Sequence, residues 1–279
     1  MRIRIVWSQG EKEGAALEPA PSLRSEFAFR TDPGCHRELN EDSVRVVRPK
    51  EPEVLARKGL LALVADGMGG HEAGEVASGL AAEVVCREYY RAEGTICDAL
   101  ARALEEANRE IHEQSAARRL IGGMGTTCTA LVIAGGNAWA GHIGDSRVYL
   151  VRDGRIYRMT EDHSAVMDLV RKGILSAAEA RRHSSRNVLQ RAMGLAADLD
   201  ADVWEDPFPM MSGDHFVLCS DGLHDLVDDG EIRDAVSHLE PEAACAELVR
   251  LARERGGYDN ISVVTIAARG ARVAAGGAA

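Results

Sequence analysis

The chain has 279 residues, with 33 Lys or Arg against 44 Asp or Glu for a formal charge of −11, and 46% of its residues are hydrophobic. That balance excludes a disordered tail, a collagen-like fibre and a disulfide-stapled miniprotein, and a chain this long buries roughly three quarters of the surface it exposes when unfolded. The acidic residues are spread along the chain, which argues against nucleic acid or an anionic membrane as partner and suits divalent cations better.

In chain order, residues 1–25 mix Gly, Pro, Ala and Glu without a clean period and read as an N-terminal extension. The first residues lack the apolar run of a signal peptide, so a cytoplasmic location is expected. Gly59 to Ala65 has strand length and an unbroken apolar character. Helical periodicity follows over Glu72 to Arg91 and Ile96 to Ser115, where Leu100, Ala103, Leu104, Ala107 and Ile111 line one face. Leu120 to Gly144 carries no formal charge and is long enough to cross a bilayer. Its glycines and the turn-like Gly135-Gly136-Asn137 instead predict two buried strands, Cys128 to Ala134 and Ala138 to Ile143. Val148 to Val151 and Ile156 to Met159 flank Asp153-Gly154 as a hairpin. A helix is expected over Ala165 to Arg182, a strand over Phe216 to Cys219, a helix over Pro241 to Arg255 and a strand over Ile261 to Ala267. Residues 269–279 read as a flexible tail. Strands in hairpins with two long helices inserted indicate an α+β layered domain with a largely antiparallel sheet.

Four Asp-Gly pairs occur. Asp153-Gly154 and Asp229-Gly230 sit among polar neighbours and read as turns. Asp66 and Asp221 each end an apolar run, so each emerges from a buried strand. Asp259 opens another such strand and would share a sheet edge with both. Asp145, after Ile143, joins them. Carboxylates about 4 Å apart repel by roughly 4 kcal/mol per pair at an effective dielectric of 20, so the cluster calls for cations. All-oxygen ligands select Mg²⁺ or Mn²⁺ over zinc, and the nine histidines form no HExxH, HxH or mixed Cys/His group. The six cysteines form no CxxC and read as reduced thiols.

From Thr31 to about Ala268 the sequence resembles the metal-dependent protein phosphatases, the type 2C serine/threonine phosphatases in their compact bacterial form. The motifs stand in the family's order: Thr31-Asp32-Pro33-Gly34, Arg37 and Asn40-Glu41-Asp42, then Asp66-Gly67-Met68-Gly69-Gly70-His71, then Gly125-Thr126-Thr127. Gly144-Asp145-Ser146-Arg147, Asp162-His163-Ser164, Ser220-Asp221-Gly222-Leu223 and Asp259-Asn260 follow.

The resemblance implies a β-sandwich of two antiparallel sheets flanked by helix pairs, with residues 26–268 as the catalytic domain and a flap at about 164–187. It implies that Asp66 bridges two Mn²⁺ or Mg²⁺ ions, with Glu41 and the Gly67 carbonyl on one side and Asp221 and Asp259 on the other. Asp145 and Asp221 match the place of a third ion, Asp145 having a turn or a hydrogen bond to Arg147 as its alternative role. Asp42, Asp225 and Asn260 stand around this set, Asp225 as an additional ligand. Arg37 would bind the phosphate and a bridging hydroxide would attack phosphorus. Met68 fills the place where animal members have a His, so the leaving-group acid is either His71 or a water; His163 is either structural or catalytic.

The implied activity is hydrolysis of phosphoserine and phosphothreonine on proteins, opposing a bacterial Ser/Thr kinase, by a monomer. The alternative is an inactive, phosphoprotein-binding relative, which the full set of Arg37, Glu41, Asp66, Asp221 and Asp259 argues against. Walker-type, Cys-x5-Arg and GxSxG chemistries are excluded, since none of their motifs occurs.

Overall fold

The computed structural model describes residues 2–3, 23–69, 73–117, 123–180 and 183–270. In chain order the elements are β1 (Arg2–Ile3), β2 (Arg24–Asp32), β3 (Asp42–Val47), α1 (Pro52–Lys58), β4 (Leu60–Gly69), α2 (Ala73–Arg91) and α3 (Ile96–Ala117). Then come β5 (Met124–Thr126), β6 (Cys128–Ala134), β7 (Asn137–Ile143), β8 (Arg147–Arg152), β9 (Arg155–Arg158), α4 (Ala165–Arg171) and α5 (Ala177–Ala180). The chain continues through β10 (Asp202–Trp204), β11 (Phe208–Pro209), β12 (His215–Cys219), α6 (Asp221–His224), α7 (Asp229–His238), α8 (Pro241–Glu254) and β13 (Ile261–Arg269).

Strand side chains alternate between faces, so an unbroken apolar strand needs cover on both. In β4, Leu60, Ala62 and Val64 pack between two sheets against Val148, Leu150, Phe216, Leu218 and Val264. Their neighbours Leu61, Leu63 and Ala65 pack outward on Ala77, Val84 and Val85 of α2 and Leu100 and Leu104 of α3. The second sheet repeats the pattern, with Tyr149, Val151, Val217 and Cys219 facing Ile232 and Val236 of α7 and Leu248 of α8. Each Val, Leu, Ile or Phe side chain among them, fully buried, contributes about 1.5–3 kcal/mol, which is why the layers order as α-β-β-α.

One sheet runs β1-β10-β7-β6-β4-β3 with β11 added to β7 and β5 to β4, and the other runs β2-β13-β12-β8-β9. Every pairing is antiparallel except that of β1, which lies in the segment read as an extension, with β10. The two-residue Gly135-Gly136 turn, at φ 55° and 78°, joins β6 to β7 as the sequence predicts. No helix among the described residues is long and apolar enough to cross a membrane.

Three expectations are corrected. The helix expected over Ala165 to Arg182 breaks after Arg171, because Gly173 takes φ 68°. Asp229-Gly230 is not a β-turn but the first turn of α7, entered through a capping box between Asp228 and Glu231. Finally, β4 does not end at Ala65 but runs on through Asp66 to Gly69.

Candidate functional site

At Asp66, β4 changes partners: Val64 pairs with Thr129 of β6, and Gly67 with Thr126 of β5. Thr127 lies between those strands. Its hydroxyl accepts the Asp66 N–H at 2.9 Å, and its own N–H donates to the Asp66 carbonyl at 2.9 Å. Across β4, Asp66 stands in register with Asp42 of β3, so the two carboxylates share the face that lower down carries Val44 and Val64. That face looks into the gap between the sheets. From the second sheet, the Ser220 hydroxyl donates to Asp42 Oδ2 at 2.8 Å and ties the sheets together at this end.

From their places at strand ends, Asp66, Asp221 and Asp259 are expected on one sheet edge. The structure corrects this: Asp66 belongs to the first sheet, while Asp221 follows β12 and Asp259 precedes β13 in the second. The cluster therefore closes across the sandwich. Burial pushes the Asp66 carboxyl well above the usual range, and Asp42, Asp221, Asp145 and Asp259 push it further. Burial and Asp221 do the same to Asp145. Asp221 is raised by burial and by Asp259, against the pull of His224. Asp42 rises to about 7 through burial, with Ser262 and Ser220 bonds opposing.

Glu41 and Asp259 occupy the rim. The Glu41 N–H donates to Asn260 Oδ1 at 2.8 Å, and the Asn260 amide donates to the Pro33 and Leu39 carbonyls at 3.1 and 3.0 Å, so one side chain pins the whole opening motif. Burial raises the Glu41 carboxyl against the pull of Arg37. Gly67 donates to the Glu41 carbonyl at 3.1 Å, and a Cβ there would collide with the carbonyls of Gly74 and Glu41. Arg37 Nη2 donates to Asp259 Oδ2 at 2.8 Å, with about half of its side chain exposed.

Beside the cluster opens a cavity of about 420 Å³, lined by Asp145, Asp221 and Asp225 and, from the flap, by Ser164, Met167 and Arg186. Arg186 Nε donates to Asp225 Oδ2 at 3.3 Å. Arg147 sends two hydrogen bonds to Asp162, at 2.9 and 2.7 Å, so fixing Arg147 is the task of Asp162 and not of Asp145. His163 is buried and hydrogen-bonded to Gly144 and Asp202, which makes it structural. His71 lies outside the described residues. Thr127, Ser220 and Asp202 escaped the sequence reading as site residues; the first two stand inside recognised motifs, whereas Asp202 carries no local signal.

Among the described residues no three His, Cys, Asp or Glu side chains converge into a ready chelating group, and Asp259 is turned to Arg37. The cluster nevertheless fits hard cations. Asp42 Oδ1 and Asp221 Oδ1 are buried without a hydrogen-bond partner, and the carboxyls around them repel one another. Buried carboxylates with unfilled acceptor positions suit an oxygen-liganded divalent ion.

Residues 38–254 match the profile of the family described as protein phosphatase 2C. The chain is 33% identical over 244 residues to the serine/threonine phosphatase stp of Listeria monocytogenes, covering 85% of this chain and 94% of that protein. It is 38% identical over 240 residues to the serine/threonine protein phosphatase PstP of Mycobacterium tuberculosis, covering 85% of this chain and 44% of the relative. The crystal structure of the PstP catalytic domain in complex with two manganese ions superposes with a TM-score of 0.75 at 35% identity, over 89% of this chain and 100% of the other.

Proposed function

This chain belongs to the protein phosphatase 2C family, and from that premise we propose that it hydrolyses phosphoserine and phosphothreonine on proteins at a binuclear Mn²⁺ or Mg²⁺ centre. The observation that carries the reading is the set of mutually repelling carboxyls, Asp66, Asp145 and Asp221, gathered from both sheets beside an exposed Arg37.

Glu41, Asp66, the Gly67 carbonyl, Asp221 and Asp259 would hold the two ions, with Asp145 and Asp221 taking a third and Asp225 adding to it. When bound, such ions activate water and neutralise charge growing on the phosphoryl oxygens. Arg37 offers the planar fork that matches phosphate oxygens, and it is preset by Asp259. Asn260 and Thr127 hold Glu41 and Asp66 in place through backbone bonds. Asp42 stays behind the ligands, shared between Ser220 and Asp66's strand. His71 or a water protonates the leaving oxygen.

Residues 26–268 form the catalytic domain, with 164–187 as flap. The substrates are phosphoproteins made by a Ser/Thr kinase of the same cytoplasm, and the enzyme acts as a monomer. Phosphate release from a phosphothreonine peptide, measured with Mn²⁺ and then with excess chelator, tests this: release that chelator abolishes is expected, and none from a folded, Mn²⁺-loaded sample overturns it.

A further inference from the structure

His163 is used by nothing in the chemistry above, yet it is almost wholly buried beside the cluster, at 2% exposure. It holds Gly144 at both polar groups: its N–H donates to the Gly144 carbonyl at 2.7 Å, and its Nδ1 faces the Gly144 N–H at 3.1 Å. A ring nitrogen that meets an N–H must be the acceptor, so the proton sits on Nε2. Nε2 in turn lies 3.0 Å from Asp202 Oδ2, and Asp202 is itself approached by Arg191 at 3.4 Å. The ring can neither flip nor change tautomer without losing a buried hydrogen bond.

Two features hang on this residue, Gly144 through the ring and the flap through the main chain. Gly144, at φ 106°, is the residue before Asp145, and its conformation sets where that carboxylate points. The flap begins one residue after His163 and returns to it: Gln190 N–H donates to the His163 carbonyl at 2.8 Å, Ala165 N–H to Val188 at 2.9 Å, and Ser164 bridges Leu189.

We propose that His163, locked by Asp202, is a positioning residue that fixes Asp145 and both ends of the flap against the cavity. The inference rests on the ion-binding role given to Asp145 above. It places Asp202, an acid outside every recognised motif, in the support of the third ion and of phosphopeptide binding, with no part in the chemical step.

The test compares wild type, His163→Leu and His163→Asn by Mn²⁺ titration, following free Mn²⁺ by electron paramagnetic resonance, and by kinetics on one phosphothreonine peptide. Asn puts an amide oxygen where imidazole has Nδ1, so it can still accept from Gly144. Loss of an outer support of this kind costs roughly 10- to 100-fold in ion affinity. His163→Leu should weaken the last of the bound ions by at least about tenfold and raise KM more than it lowers kcat, and His163→Asn should recover most of both. A folded His163→Leu with the wild-type isotherm and KM overturns the inference, as does equal damage in both variants. Should His163→Leu not fold, Asp202→Ala against Asp202→Asn decides alike, since only Asn keeps an acceptor for Nε2–H; equal behaviour of that pair overturns it. A wild type that neither binds Mn²⁺ nor releases phosphate overturns the phosphatase reading and this inference together.

Discussion

Replacing Asp66 by Asn removes a negative charge from the centre of the cluster while keeping the side-chain volume. Without ions, Asp66 is pushed up by burial and by four neighbouring carboxylates, and its side chain lies within hydrogen-bond reach of Asp221. Two carboxylates about 4 Å apart repel by roughly 4 kcal/mol at an effective dielectric of 20, and removing the charge of one relieves that repulsion in part. The Asn amide is neutral and carries a donor for Asp221. The metal-free variant should therefore gain roughly 1–3 kcal/mol over metal-free wild type. With Mn²⁺ the order inverts, because an ion at 100 times its Kd stabilises the wild type by about 2.7 kcal/mol per site, roughly 5–10 °C in Tm at this chain length. Thermal unfolding in chelator and in Mn²⁺, with phosphate release in parallel, checks this. In chelator Asp66→Asn should melt at or above wild type; in Mn²⁺ wild type should pass it, with turnover of the variant at background. A metal-free variant melting well below wild type would refute the repulsion argument, and a retained Mn²⁺ shift or full turnover would refute the bridging role.

Arg37→Lys exchanges a fork for a point charge and loses one charge-assisted hydrogen bond to phosphate, which should lower kcat/KM on a phosphopeptide by on the order of 10- to 100-fold; unchanged kinetics would remove Arg37 from the phosphate site. Asp162→Asn leaves the Arg147 guanidinium, whose side chain is 13% exposed, without its anion, at a cost of roughly 3–5 kcal/mol in denaturant unfolding. Burial pushes Asp162 up, but Arg147 brings it down to about 2, below the ordinary 3.8. That stabilisation is complete above pH 4 and is lost as pH falls through 2, so the gap between wild type and variant should narrow by about 2.5 kcal/mol over this range; a constant gap would contradict the pairing. Gly144→Ala forces a side chain onto φ 106° and against the Thr127 methyl, and should cost about 2–4 kcal/mol in urea unfolding; a loss below about 0.5 kcal/mol would mean the turn relaxes freely.

What was legible in the sequence was local chemistry repeated at a fixed period. The run Gly59 to Ala65 demanded cover on both faces, and α2, α3 and the second sheet supply it. The motif residues Asp145, Asp221 and Asp259 stand close enough to Asp66 to push its carboxyl up. What escaped depends on distant partners. β4 passes beyond Ala65 only because β5, nearly 60 residues later, pairs with Gly67 to Gly69. Asp202 acquires a task only because β10 lies against β7 and brings it to His163. The missed helix α7 is a different case: Asp228 and Glu231, three residues apart, are a capping signal in plain view, outweighed by the adjacent Asp-Gly turn pattern.

The same alternation that builds the core delivers the site. Along the inward face of each sheet the apolar series stops and polar residues take over at one end: Val64 gives way to Asp66, Leu218 to Ser220 and Val264 to Ser262. One step of the strand period past the last core residue places a carboxylate or hydroxyl in the gap between the sheets, where no water layer as deep as bulk solvent screens it. The hydroxyls of the second sheet are what make this tolerable. Ser220 donates to Asp42 and accepts from the Ser262 N–H at 3.0 Å, so it links three strands while answering one charge. The remaining charges are left to oppose closure of the sandwich at this end. A cation that satisfied Asp66 from one sheet and Asp221 and Asp259 from the other would convert that repulsion into a cross-sheet tie, which couples the folding of this end of the domain to the chemistry it performs.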